Sequence, residues 1–117
     1  MAQKYMFALF GDEAKWANAT EAEYAEGMRL HTEFAAAVEA AGAKIVGGEE
    51  LRLAATATTV RTGDAPLVSD GPFMESKEAF GGFYLIEADD LDQAIALAKI
   101  CPEPAVEIRP VVDHSEA

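Results

Sequence analysis

The amino-acid sequence predicts an α+β fold: one antiparallel sheet of four or five strands with two helices on one of its faces. Three observations predict it. Residues 4–10 (KYMFALF) and 83–86 (FYLI) are apolar at successive positions, as short strands buried on both faces are. Each run is followed by a capped, amphipathic stretch with helical spacing. The segments between them are β-prone and broken by glycine and turn residues, which gives the order β-α-β-β-(β)-β-α-β.

The first strand ends at Gly11-Asp12, and residues 12–19 read as a loop or short irregular turn. Thr20-x-x-Glu23 is a capping box and opens a helix of about 20 residues that stops at Gly42. At about 100° per residue, Tyr24, Met28, Leu30, His31, Phe34, Ala35, Ala37, Val38 and Ala41 share half its circumference, with Arg29, Thr32, Glu33 and Ala36 opposite. Residues 43–47 and 51–61 are β-prone runs split by Gly47-Gly48, and residues 56–60 alternate and are β-branched. Thr62-Gly63-Asp64-Ala65 reads as a hairpin turn leading to residues 66–68. Asp70-Gly71-Pro72-Phe73 is a breaker, and residues 74–80 form a polar linker with some helical character. After the strand at 83–86, Asp89 or Asp90 caps a second helix over residues 90–101, with Leu91, Ala94, Ile95, Ala98 and Cys101 on one stripe. Pro102 and Pro104 stop it, and residues 106–109 make the last strand. Residues 1–112 form a single domain, and 113–117 a C-terminal tail.

This order is the split-βαβ, ferredoxin-like arrangement. Two helices cover one face of such a sheet, yet the strands at 4–10 and 83–86 are apolar on both. The expected cover for the second face is the same face of a second copy, giving a homodimer, a dimeric α+β barrel.

Composition narrows the function. The chain has 117 residues, room for one domain. Nine Lys and Arg against 21 Asp and Glu give a net charge of −12, which speaks against nucleic acid and against an anionic membrane surface. One cysteine excludes an intrachain disulfide and a Cys-ligated zinc site. Two histidines 83 positions apart, without a ligand spacing, predict no metal, and no P-loop or G-x-G-x-x-G predicts a cofactor. The N-terminus lacks a signal-peptide core and no apolar run reaches the length of a membrane span, so a cytoplasmic protein is expected.

Asp70-Gly71-Pro72-Phe73, Glu75-Ser76-Lys77-Glu78, Gly81-Gly82-Phe83-Tyr84-Leu85-Ile86 and Asp90-Leu91-Asp92-Gln93-Ala94 together resemble the signature of the DGPF subgroup of YCII-related proteins. Lys4-Tyr5-Met6, Gly11-Asp12-Glu13, Gly48-Glu49-Glu50-Leu51, Ala57-Thr58-Thr59-Val60-Arg61 and Val106-Glu107-Ile108-Arg109-Pro110-Val111 are similar to it as well. The resemblance implies a ferredoxin-like, dimeric α+β barrel. It also implies a His–Asp pair in a pocket, which would be His31 and Asp70 here, and a link to sigma factors.

The candidate site residues follow. His31 lies in the apolar stripe of the first helix and is a candidate proton shuttle, with a satisfied core or cleft-edge histidine as its plainer reading. Asp70 orients His31, binds substrate, or fixes the turn before Gly71-Pro72. Arg61 and Arg109 are candidates to hold an anionic ligand, or else solvated strand residues. Tyr5 and Tyr84 are candidate pocket aromatics, or else core or interface residues. Cys101 reads as a packed thiol. Two functions fit. One is a small-molecule pocket with isomerase- or lyase-like His/Asp proton transfer on a small organic ligand. The other is a non-catalytic ligand sensor or interaction module that meets a sigma factor or other regulatory protein through its acidic surface.

Overall fold

The computed structural model describes residues 2–115. The first apolar run forms β1 (Gln3–Gly11), one residue longer at each end than its hydrophobic pattern predicts. It lies inside the sheet, flanked by β5 (Ala79–Ala88) and β6 (Ala105–Pro110), with β2 (Lys44–Glu50) on the far side of β5. The order β2-β5-β1-β6 is antiparallel throughout, as a ferredoxin-like α+β fold requires. The two most apolar strands occupy the two central places, each flanked by a strand on both sides.

Two helices lie on one face. Helix α2 (Glu21–Ala40) is opened by both halves of the Thr20–Glu23 capping box, and Gly42 closes it at φ +83°, where glycine is unstrained. Helix α3 (Leu91–Ala98) is capped by Asp90, whose carboxylate accepts the Gln93 N–H at 2.8 Å. Their inner stripes, Phe34 and Val38 from α2 with Ala94 and Leu97 from α3, meet Tyr5, Phe7 and Leu9 of β1 and Ile86 and Ala88 of β5. Phe7, Ile86 and Val38 are fully buried.

Strand β5 starts at Ala79, inside the expected linker, and α3 ends at Ala98, short of the expected 101. Tertiary structure departs from the sequence pattern further in three places. Residues 13–17 form a short helix, α1 (Glu13–Ala17), capped by the Asp12 carboxylate on the Ala14 N–H at 2.9 Å. Strand β2 runs straight through Gly47-Gly48, which pair with Leu85 and Tyr84, and a bulge just before them leaves Val46 as the extra residue. The expected strand over 51–61 begins only at Thr58. Leu51 donates a last bond to the Gly81 carbonyl at 2.9 Å, and the chain then turns through a 3₁₀ segment, Ala54–Thr56. The carboxylate of Glu13, 41 positions away, accepts the Ala54 N–H and holds that turn. No local propensity encodes such a contact.

Strands β3 (Thr58–Arg61) and β4 (Leu67–Asp70) pair only with each other, in a hairpin outside the four-stranded sheet. Nearly every residue of the hairpin is exposed. The chain spans 48 × 46 × 18 Å with a radius of gyration of 16.3 Å. A compact chain of this length would have about 13 Å, so the hairpin stands off the body as an arm. On the face away from the helices, the register sets Met6 beside Leu85, Ala8 beside Phe83 and Phe10 beside Phe80. No helix among the described residues is long and apolar enough to cross a membrane.

Candidate functional site

A cavity of about 320 Å³ opens between the first half of α2, α1 and the end of the sheet where β2 leaves it. Helix α2 offers it Tyr24, Gly27, Met28 and His31, spaced i, i+3, i+4, i+7 and therefore on one stripe. Strands β1 and β5 contribute Leu9, Gly11 and Tyr84, and the stretch 48–53 forms a side wall. Trp16 of α1 lies edge-on to Tyr24, ring centroids 6.1 Å apart. The Tyr24 hydroxyl donates to Glu50 at 2.9 Å, which ties α2 to the end of β2 and raises the Tyr24 pKa.

At the inner end of the cavity His31 is held at both ring nitrogens. Nε2 stands 2.8 Å from Glu103 Oε1, and Nδ1 stands 2.6 Å from the Tyr84 hydroxyl. An ionised carboxylate only accepts, so the assigned tautomer carries its proton on Nε2, and Tyr84 donates to Nδ1. The chain is thus Tyr84 O–H to His31 to Glu103. His31 and Glu103 side chains are 19% and 11% exposed, dry enough to strengthen the pairing but still open to the cavity. Tyr84 is braced from below by Phe34, with ring centroids 5.3 Å apart.

Glu103 reaches this position through backbone restraint. It sits between Pro102 and Pro104, which hold the segment after α3 out of the helix. Its N–H bonds the Cys101 carbonyl at 2.9 Å. Gly11 of β1 makes room: a Cβ there would lie 3.3 Å from Pro104 Cδ and 3.8 Å from Glu103 Oε2.

Burial pushes the Tyr84 hydroxyl up to about 12, with the negative charge of Cys101 and Glu103 adding to the effect. Tyr84 is therefore a neutral hydroxyl at physiological pH, able to pass a proton rather than act as a phenolate. Burial, with Glu103 nearby, also pushes the Cys101 thiol up to about 12. This agrees with a packed, unreactive cysteine, 8% exposed in the core cluster.

Of the residues singled out from the sequence, His31 and Tyr84 line the cavity. Asp70 does not meet His31 within the chain: it ends β4 on the exposed hairpin, while both nitrogens of His31 are engaged by Tyr84 and Glu103. Arg61 is on the same arm, its guanidinium 4.7 Å from the centre of the Phe73 ring. Arg109 is an exposed residue of β6 that bonds Glu107 at 2.8 Å. Tyr5 is buried in the core. Sequence reasoning missed Glu103, Trp16 and Tyr24. The signal for Glu103 was an acid locked between two prolines. The signal for Trp16 and Tyr24 was a pair of large aromatics flanking the capping box, Tyr24 at the very start of the apolar stripe, beyond the turns that fill the core.

Among the described residues no group of three or more His, Cys, Asp and Glu side chains gathers in a way that could hold a metal ion. A ferredoxin-like α+β domain with a cavity under its first long helix is the class that these features define. The YCII-related domain family matches residues 6–115, and the chain belongs to that family. A stretch of 45 residues is also 44% identical to "Uncharacterized protein R00369" of Rhizobium meliloti (strain 1021). That stretch covers 38% of this chain and 36% of the relative, so the chain spans about a third of the relative's length.

Proposed function

We propose that this domain binds a small organic molecule in the cavity beneath α2 and moves a proton to or from it. The observation that carries this reading is the Tyr84–His31–Glu103 chain at the inner end of the cavity. A ligand group that loses a proton gives it to the Tyr84 oxygen as the Tyr84 proton passes to Nδ1. The ligand keeps its electron pair, and the imidazolium that results is paired with Glu103. The reverse sequence returns the proton at another position, which is the work of an isomerase or lyase. General acid–base assistance of this kind is worth roughly 10²–10⁴ in rate. Glu103 takes the orienting role that the resemblance would give to Asp70.

The same reading makes the working unit a homodimer, formed through the apolar sheet face that carries Met6, Phe10 and Leu85. Burying that face against its own copy removes apolar area from water at roughly 25 cal/mol per Å².

The test is deuterium exchange. Small carbonyl compounds and lactones that shift the His31 or Trp16 NMR signals are incubated with the protein in D₂O. At least one should exchange a C–H faster with wild type than with His31→Ala or Tyr84→Phe, while still binding both variants. Equal exchange rates in all three proteins refute the proton-transfer reading and leave a plain binding pocket.

A further inference from the structure

The cavity is lopsided in charge. Glu13, Glu50 and Glu103 line it, with Arg52 the one arginine among its lining residues. All three carboxylates are fixed by the chain itself: Glu13 by the Ala54 N–H, Glu50 by the Tyr24 hydroxyl and Glu103 by His31. Each of those bonds engages one oxygen, and a carboxylate has about four acceptor sites. The carboxylates can therefore keep these bonds and still accept from a ligand.

The adjoining wall is aromatic. Trp16 and Tyr24 meet edge-on over the mouth, 38% and 43% exposed. Gly27 makes that placement possible, since a Cβ on it would come within 2.9 Å of Trp16 Cη2. The faces of such rings attract cations and do nothing for anions. The other arginines are engaged elsewhere. Arg29 is engaged by Glu26 and Glu33, Arg109 by Glu107, and Arg61 is on the arm beside Phe73. An anionic ligand would have to lose water beside three carboxylates, at a cost that one exposed arginine does not offset.

We propose that the cavity takes an organic cation: a small apolar molecule with a protonated amine, its ammonium group set among the carboxylates and against the Trp16–Tyr24 rings. The inference rests on the cavity reading above and names the ligand class for it. It places the apolar part of the ligand over Met28 and Leu9, and so brings the ligand's carbon frame toward Tyr84 and His31.

Trp16 is the single tryptophan of the chain, so its fluorescence reports on this wall alone. The experiment compares benzylammonium, benzyl alcohol and benzoate, near-isosteres of positive, zero and negative charge, at equal ionic strength. Benzylammonium should change Trp16 emission saturably, bind at least about tenfold tighter than benzoate, and weaken as salt rises. In Glu13→Gln/Glu50→Gln, whose amide oxygens can still accept from the Ala54 N–H and the Tyr24 hydroxyl, benzylammonium should lose about fivefold in affinity while benzyl alcohol is unaffected. Benzoate or benzyl alcohol binding to wild type as tightly as benzylammonium overturns the cation assignment and leaves the cavity reading intact. If none of the three perturbs Trp16 emission or the His31 NMR signals, the cavity reading falls with it. The wild-type comparison decides between these results even where the double variant does not fold.

Discussion

The ring of His31 is fixed at two points, and that fixes its tautomer. A carboxylate on Nε2 and a hydroxyl on Nδ1 leave one neutral arrangement in which every partner is satisfied. Nitrogen-15 NMR of the neutral imidazole should therefore show the Nε2–H form, and Glu103→Gln should mix the tautomers, because an amide can donate as well as accept. A wild-type spectrum with both tautomers equally populated would contradict the chain drawn here. Cys101 and Tyr84 make a second residue-level prediction. Their folded pKa values are raised, from 9.0 and 10.0 to about 12 in each case. In the unfolded chain both groups ionise near their ordinary values, so between about 9 and 12 the native state holds more protons than the unfolded state. Stability is complete below that window and falls as pH rises through it. Urea unfolding should show the decline, at a slope of up to about 1.4 kcal/mol per pH unit for each proton. Cys101→Ala should flatten it even though it starts from a lower stability.

At the scale of elements, β2 is the strand whose geometry was least evident from sequence. It is an edge strand with a bulge, and the two glycines that seemed to divide it are inside it. Gly48 is needed for close approach: its φ is +156°, and a Cβ would lie 2.7 Å from the Phe83 carbonyl oxygen. Gly81 has open space at the same point. Gly48→Ala should therefore cost about 2 kcal/mol in unfolding free energy, whereas Gly81→Ala should be close to neutral. Equal midpoints for the two variants in urea would mean that the Gly48 backbone has room to relax. The helices were far more legible, since the Thr20 and Asp90 caps and the Gly42 stop are local chemistry that the tertiary fold left in place. Helix α1 was not legible, because five residues carry too little periodicity to separate a helical turn from a loop.

At the scale of the molecule, one face of the sheet carries the helices, and the other carries Met6, Ala8, Phe10 and Leu85. The exposed hairpin adds Val60, Leu67 and Val68, at 56%, 62% and 66% exposure. Apolar side chains gathered on one uncovered face are the usual mark of an interaction surface. If the sheet face closes on a second copy, light scattering should give twice the chain mass at micromolar concentration, and Leu85→Asp should halve it while the helical circular dichroism persists. A wild-type monomer would remove the homodimer from the proposal without touching the cavity, all of whose named residues come from one chain.

The sequence by itself determined the fold class, the capped helices, the apolar central strands and the place of His31 on the apolar stripe of the long helix, because each follows from periodicity or from contacts within a few residues. The partners of His31 were decided only by tertiary structure. Asp70 carried the more conspicuous motif, but it ends a strand of the projecting hairpin. Glu103 and Tyr84 meet His31 from 72 and 53 positions away. A sheet that sets β1 between β5 and β6 brings such distant residues together, and no spacing along the chain records the crossing that does so.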